Sequence, residues 1–223
     1  MGHAPRWAGE AAPLSPPPGT SPENAMRRKV DHIQRTELIL QNAQELFGEL
    51  GYPQVTLMLL AERCQLSRTV LYRYYESKRK VFEAVLYRIS THLGMEFLQY
   101  AQQNPQTPPS QKMRFILVRL VEYMEKNIPF LDAVVEYLID LQRKGESVTR
   151  RVMRHTVLLR LTLFRLIREA VDTGEFNALP ISQIAGVFYE QVMGAAMQMA
   201  VTETHDPDNF RTRLDLTLKA LKK

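Results

Sequence analysis

The sequence has one cysteine and no long hydrophobic run free of polar residues. A single thiol, Cys64, excludes an intrachain disulfide and a zinc site built from several cysteines, which is typical of a protein from a reducing compartment. The most apolar stretch, IAGVFYEQVMGAAMQMAV, is interrupted by Glu190, Gln191 and Gln198, so we expect no membrane span. The first residues lack a basic segment followed by an apolar run, so no secretory signal is indicated and a cytoplasmic location is expected.

The sequence also lacks the patterns typical of an enzyme. Its histidines show no metal-ligand spacing, and no glycine-rich phosphate-binding loop is present. No partner histidine is suggested for Cys64, which lies on the inner stripe of a predicted helix and is interpreted as a small core side chain. We therefore predict no catalytic residue, no metal site and no cofactor.

The positive charge is concentrated near the N-terminus. The chain of 223 residues has a net charge of +5, and residues 26–90 hold 11 Lys and Arg against 7 Asp and Glu. Such a local excess favours a polyanionic partner such as nucleic acid, although a solvated basic face is the alternative interpretation. The hydrophobic and charged fractions, 45% and 24%, are those of an ordinary soluble protein with a core.

The periodicity of apolar residues predicts an all-α protein. Residues 1–25 contain six of the 13 prolines and are predicted to form a disordered N-terminal extension. From Arg35 onward the pattern is helical, with no convincing run of alternating β-branched residues. After the first 90 residues, helices are predicted over about 111–127, 130–144, 146–173, 181–203 and 208–222.

Four short helices are predicted before residue 90. The first spans 36–50 and ends at Gly51, and the others begin after the potential N-caps Thr56, Ser67 and Ser77. The second and third are separated by the three residues QLS, which is the spacing of a helix-turn-helix. The third helix is therefore predicted to enter the major groove of DNA. Its outer face carries Arg68, Thr69, Tyr72 and Arg73.

The first turn of the fourth helix has an unexpected charge. It consists of Lys78, Arg79 and Lys80, although a helix N-terminus favours acidic residues. We interpret the three cations as a phosphate-binding group beside the recognition helix. A flexible basic arm before the first helix is expected to reach the DNA backbone or minor groove through Arg27, Arg28 and Lys29.

Residues 39–86, ILQNAQELFGELGYPQVTLMLLAERCQLSRTVLYRYYESKRKVFEAVL, resemble the DNA-binding domain of the tetracycline-repressor (TetR) family of bacterial regulators. The similar points are Ala43, Phe47, Gly51, Thr56, Leu60, Ala61, Ser67 and the run LYRYYESK. The resemblance implies that Arg68 and Thr69 face base edges. It also implies that the DNA backbone is contacted by Thr56, Tyr72, Tyr74 and Lys78.

Two departures from the family pattern lie in this segment. Leu57 and Met58 stand at the start of the second helix, where relatives often have polar or basic residues, so weaker backbone anchoring is expected. Gln65 stands in the turn, where glycine is common. If Gln65 keeps the left-handed conformation, we expect a strain of about 1 kcal/mol.

The family resemblance implies a C-terminal helical domain that binds a small ligand and forms a dimer. Candidate residues for the ligand pocket, for which ordinary core filling is the alternative, are Met95, Met113, Tyr123, Met124, Phe130, Tyr137, Met153 and Phe164. Candidate residues for a four-helix dimer interface, for which completion of the monomer core is the alternative, are Ile184, Val187, Phe188, Val192, Ala195, Met199, Phe210, Leu214, Leu218 and Leu221.

The resulting hypothesis is a DNA-binding transcriptional regulator. We expect a helix-turn-helix domain over residues 26–80 and a ligand-binding and dimerisation domain over residues 81–223. The family resemblance implies a repressor that binds a palindromic operator on double-stranded DNA as a homodimer and is released by a small-molecule effector. The alternative is a helical dimeric interaction or ligand-sensing protein with weak or no specific DNA binding.

Overall fold

A computed structural model describes residues 22–178, 180–202 and 206–223, with the backbone alone for 22–29 and 202. The described residues form helices and no β-strand, which confirms the all-α prediction. Among the described helices, none is both long and apolar enough to cross a membrane. The helices are α1 Pro22–Gln54, α2 Leu57–Arg63, α3 Arg68–Tyr74, α4 Lys78–Gln103, α5 Pro109–Glu125, α6 Ile128–Arg143, α7 Val148–His155, α8 Val157–Asp172, α9 Ile181–Met197 and α10 Pro207–Leu221.

The first helix is longer than predicted at its N-terminus. It begins at Pro22 instead of Thr36, so the predicted disorder is wrong for residues 22–25, while residues 1–21 lie outside the described part of the chain. Thr36 does not cap a helix, because its hydroxyl donates to the carbonyl of His32 within α1 (2.8 Å). No glycine or interior proline interrupts residues 23–35, so helix propensity extends the first helix beyond its apolar stripe. The predicted flexible arm is accordingly helical from Arg27 to Lys29.

The segment predicted as one helix over 146–173 consists of two helices that meet at Thr156. Its backbone has φ −103° and ψ 10°, and both its amide and its hydroxyl donate to the carbonyl of Val152. A β-branched residue that bonds back to the preceding turn competes with a straight helix, so α7 and α8 are separated there. A π-helical turn, Gln198–Thr202, extends α9.

Two hydrophobic cores share α4. The first core contains α1, α2 and α3, the start of α4, and side chains of α6. The second core contains the rest of α4 with α5, α8, α9 and α10. Phe82 belongs to the first core and Phe97 to the second, so one continuous helix joins the helix-turn-helix to the C-terminal helices.

An aromatic cluster of Phe47, Tyr52, Phe82, Phe130 and Tyr137 fixes α6 against α1 and α4. The Tyr137 ring centroid lies 4.8 Å from that of Phe82 and 5.1 Å from that of Tyr52. Phe47 meets Phe82 edge to face at 4.7 Å, and Phe130 lies 5.5 Å from Phe82. Aromatic pairs at these distances add about 0.5–1.5 kcal/mol each beyond the burial of their area. The cluster therefore provides much of the contact that α6 makes with α1 and α4.

We predict that Gly51→Ala destabilises the fold. Gly51 has φ +76°, and a Cβ there would lie 2.7 Å from the Glu136 carboxylate that accepts the Tyr52 amide. Because a left-handed conformation costs a side chain about 1–2 kcal/mol, the free energy of unfolding falls by at least about that amount in urea titrations. The control is Gly186→Ala in α9, where a Cβ meets nothing within 4 Å and stability rises by about 0.5–1 kcal/mol. A Gly51→Ala protein as stable as the parent chain would contradict this account.

Candidate functional site

The helix-turn-helix is built by two capped helices and a strained turn. The hydroxyl of Thr56 accepts the Leu59 amide at the start of α2, and that of Ser67 accepts the Val70 amide at the start of α3. Gln65, between the helices, has φ +54°, so it does adopt the left-handed conformation that the sequence suggested. Its amide donates to the carbonyl of Glu62, which closes α2 in place of a glycine.

The recognition helix presents a polar face to solvent. Leu71 is completely buried in the first core, which fixes the rotation of α3. Because residues on the opposite side of a helix then point outward, four predicted DNA-contacting side chains are exposed, namely Arg68, Thr69, Tyr72 and Arg73. The Arg68 guanidinium lies 5.2 Å from the centroid of the Tyr72 ring. This contact holds a cation at the start of the exposed face.

Two further predicted DNA contacts flank this face. Thr56 is exposed at the start of α2, where its hydroxyl also serves as the helix cap. Tyr74 is half-buried, and its ring stacks on that of His32 in α1 with centroids 4.9 Å apart. The contacts of both residues with DNA remain predictions.

The prediction for the start of α2 is corrected by the burial of Leu57. Leu57 is buried in the first core with 7% of its surface exposed, so it replaces no surface contact. Met58 alone is an apolar side chain at this surface, with 59% exposed. The loss of polar anchoring expected from both residues is therefore confined to Met58.

The interpretation of Lys78 as a free phosphate-binding cation is wrong. Its ammonium group donates to the carbonyls of Tyr52 (2.9 Å) and Pro53 (2.7 Å) and lies 4.9 Å from the centre of the Tyr52 ring. These carbonyls stand at the end of α1, where a helix leaves its last carbonyls without partners. Lys78 therefore stabilises the C-terminus of α1, and burial lowers its pKa from the usual lysine value.

Arg79 also has partners within the protein, which excludes it from a group of three free cations. Its guanidinium donates to Glu83, one turn along α4, and to both carboxylate oxygens of Glu146 in the connection before α7. Lys80 differs, since it is exposed and its ammonium lies 3.8 Å from a carboxylate oxygen of Glu76. Among the three cations, Lys80 is the one that the described structure leaves open to an external anion.

Glu83 is the centre of a charge network that joins three helices. It accepts hydrogen bonds from Arg79 (2.9 Å) and from the Tyr137 hydroxyl of α6 (2.8 Å), and Arg151 of α7 lies 3.0 Å away. Burial by itself would raise the pKa of Glu83, but the hydrogen bonds from Arg79 and Tyr137 hold it below the usual value. Arg151 also donates to Glu146 (3.2 Å), so the network extends to the start of α7.

A cavity of about 440 Å³ lies beside this network. Its walls are formed by α4, α5, α6, α7, α8 and α9. Six of the predicted pocket residues line it, namely Tyr123, Met124, Phe130, Tyr137, Met153 and Phe164. The prediction is wrong for Met95, which is 56% exposed on α4, and for Met113, which is fully buried in the second core.

Several cavity residues were not predicted. Arg151 and His155 of α7, Arg160 of α8, and Tyr189 and Met193 of α9 line the cavity. Burial lowers the pKa of His155 to about 4, so its imidazole is neutral near pH 7. Two residues that were predicted for the subunit interface, Phe188 and Val192 of α9, also line the cavity.

The predicted dimer interface also needs a correction. Eight of its ten residues are buried within one chain: Ile184, Phe188, Val192, Ala195, Met199, Phe210, Leu214 and Leu218. They complete the second core because α9 packs against α5 and α8, and α10 packs against α5 and α9. Leu221 is half-buried, and Val187 is exposed. The exposed large apolar side chains of this region are Val187 and Met197 on α9, Val201 in the π-helical turn and Leu216 on α10.

The sequence matches a family of known regulators over part of its length. Residues 39–85 match the tetR family of bacterial regulatory proteins. Nucleoid occlusion factor SlmA of Pasteurella multocida (strain Pm70) is 27% identical over 94 residues, which are 42% of this chain and 46% of that protein. The chain thus spans about half the length of this curated relative.

Solved structures share the fold over most of the chain. A TetR transcription regulator from Haloarcula marismortui has a TM-score of 0.70 at 20% identity, covering 85% of this chain and 99% of that one. The transcriptional regulator FadR from Bacillus subtilis, solved in complex with stearoyl-CoA, has a TM-score of 0.68 at 11% identity, covering 84% and 97%. At these identities the likeness shows a common fold.

We predict a pH-dependent contribution of Glu146 to stability. Its hydrogen bond from Arg79 lowers its pKa from 4.5 to about 2. Because the folded-state pKa is the lower one, this stabilisation is complete above about pH 4.5 and is lost as the pH falls toward 2. In thermal unfolding, Glu146→Gln should be less stable than the parent chain at pH 7, and the difference should shrink below about pH 4.5.

Glu76→Gln is the matched control for this prediction. Glu76 is exposed and forms a long contact with Lys80, so its removal should change stability little at any pH. A stability difference for Glu146→Gln that stays constant from pH 7 to about pH 3 would contradict the assignment.

Proposed function

We propose that this chain belongs to the tetR family of bacterial regulatory proteins and is a transcriptional repressor that binds a palindromic operator as a homodimer. The observation that carries the proposal is the exposed face of α3. Its side chains Arg68, Thr69, Tyr72 and Arg73 are exposed to solvent and do not contribute to the hydrophobic core. An α-helix of this size fits the major groove of B-DNA, which is about 12 Å wide. We assign Lys80 and the Thr56 hydroxyl to the adjacent phosphates.

The roles within this surface differ. We assign Arg68 and Thr69 to base edges, because they lie at the N-terminal end of the recognition helix, which usually points into the groove. Tyr72, Arg73 and Tyr74 are assigned to the DNA backbone, which fixes the position of the helix without selecting a sequence. Lys78 supports this surface from within by holding the end of α1 against the start of α4.

A homodimer would give the operator its length and symmetry. One seven-residue helix covers only a few base pairs, whereas two helices about 34 Å apart contact successive turns of the major groove. The exposed residues Val187, Gly194 and Met197 recur at intervals of seven and three along the outer face of α9, and exposed Val201 follows in the π-helical turn. This is the spacing at which helices pair through one stripe, and Leu216 of α10 adds an exposed apolar side chain. We propose that this outer face forms the dimer interface.

The effector would act through α6. Phe130 and Tyr137 line the cavity and also pack against Phe82 of α4. Arg151 lines the cavity and contacts Glu83. A ligand that displaces these side chains shifts α6 and the start of α4 relative to α1, which changes the separation of two recognition helices in a dimer. Such a ligand weakens operator binding if it prefers the displaced arrangement.

We expect the parent chain to select one inverted repeat from a library of genomic fragments, with footprints on both half-sites. Arg68→Ala should relax the choice at the base pairs that Arg68 contacts, at a cost of about 1–3 kcal/mol each in competition assays at fixed salt. Arg168→Ala, which removes an exposed cation from α8, should leave the choice unchanged. Failure to select any sequence at low salt would favour the alternative, a helical interaction or sensing protein without specific DNA binding.

The dimer interface has a separate test. Leu216→Glu places a charge in the proposed contact and should raise the dissociation constant of the homodimer at least about tenfold in sedimentation equilibrium. Leu161→Glu on α8 is the matched control, because Leu161 and Leu216 are exposed to a similar degree, 63% and 61%. If Leu161→Glu caused dissociation and Leu216→Glu did not, the dimer interface would instead lie on the surface of α8 that holds Leu161.

A further inference from the structure

The cavity is long, apolar and without acidic side chains. Its lining extends from Leu86 to Phe97 along α4 and from Ser182 to Ala196 along α9, which at 1.5 Å per residue is about 16 Å and about 21 Å. A volume of about 440 Å³ spread over such a length is narrow. No aspartate or glutamate is among the lining residues, so the walls offer no counter-ion to a cationic ligand.

Most polar groups in the lining already have partners within the protein. The side chains of Tyr123 and Asn127 both accept from the amide of Gln44. The Tyr137 hydroxyl donates to Glu83. The positive charge of Arg151 is balanced by the carboxylates of Glu83 and Glu146. The Tyr137 proton, the Asn127 amide oxygen and the charge of Arg151 are thus already used within the protein.

Arg160 and Tyr189 differ from these groups. Both are half-buried and line the cavity, from α8 and α9 respectively. Within the described residues, the Arg160 guanidinium has no ion pair and the Tyr189 hydroxyl has no hydrogen bond. Burial raises the pKa of Tyr189, and the charge of Arg160 acts in the opposite direction, so the hydroxyl is a neutral donor beside a cation. An arginine without a counter-ion in an apolar wall matches an anionic group.

We propose that the cavity binds a linear amphipathic carboxylate, with its head at Arg160 and Tyr189 and its alkyl chain along the apolar walls of α4 and α5. The proposal gives the effector of the proposed repressor a chemical class and rests on that function for its regulatory meaning. The narrow lining favours one alkyl chain over a broad ring system, and methionines such as Met124 and Met193 adapt to a flexible chain. Arg160 favours a negatively charged head group, and the length of the cavity limits the length of the alkyl chain.

The test is a calorimetric titration of the full chain with saturated carboxylates of 8 to 14 carbons, below their micelle concentrations. We expect affinity to rise about fourfold for each added methylene until the cavity is filled. The methyl ester of the same length should bind at least about tenfold more weakly, because it cannot form the charged hydrogen bonds. Equal binding of acid and ester by the parent chain, or no dependence on chain length, would overturn the proposal.

Variants assign the head site. Arg160→Met should reduce carboxylate affinity to that of the ester and leave ester binding unchanged. Arg165→Met is the matched control on α8, where Arg165 is exposed and outside the cavity, and it should change neither affinity. Carboxylate affinity that is unchanged by Arg160→Met, or that falls equally with Arg165→Met, would overturn the assignment. The titration contains no DNA. A failure to recognise an operator would therefore contradict the proposed repressor function without affecting the measured carboxylate binding.

Discussion

The packing of α6 against α1 and α4 is the constraint on which the rest of the structure depends. The rings of Tyr137 and Phe130 meet Phe82 of α4, and Tyr137 also meets Tyr52 at the end of α1. The same two α6 side chains line the cavity. One helix is therefore both a wall of the cavity and a support of the helix-turn-helix. On the side that meets Phe82 and Tyr52 these rings are closely packed, so a displacement of α6 in that direction also displaces its neighbours.

Charge reinforces the same junction. Glu83 is a largely buried carboxylate, and its ionised form depends on Arg79, Arg151 and the Tyr137 hydroxyl. A buried charge that loses a partner is costly, so these residues hold α4, α6 and α7 in one arrangement. A ligand that draws Arg151 away from Glu83 would change the electrostatic balance at the start of α4. The network and the aromatic cluster thus join the cavity wall to the end of α1 and the start of α4 by two different kinds of interaction.

The parts of the site that could be predicted from sequence are those set by local interactions. The caps at Thr56, Ser67 and Ser77 were predicted because each accepts an amide only three residues away. The exposed face of α3 followed from helical periodicity once Leu71 was placed inward. The role of Lys78 could not be predicted, because the carbonyls that it binds lie 25 and 26 residues earlier in the chain. Its apparently unfavourable place at a helix N-terminus is explained only by that distant contact.

The amino-acid sequence by itself determined the all-helical class and the helix-turn-helix, because these depend on propensity, capping and spacing along the chain. The tertiary structure alone decided the orientation of α9 and α10 and which of the cations at the start of α4 have partners. An apolar stripe such as that of Phe188 and Leu214 fits a monomer core or a subunit interface equally well, since both remove it from water. Likewise, the pairing of Arg79 with Glu146 spans 67 residues, and only folding brings those charges together.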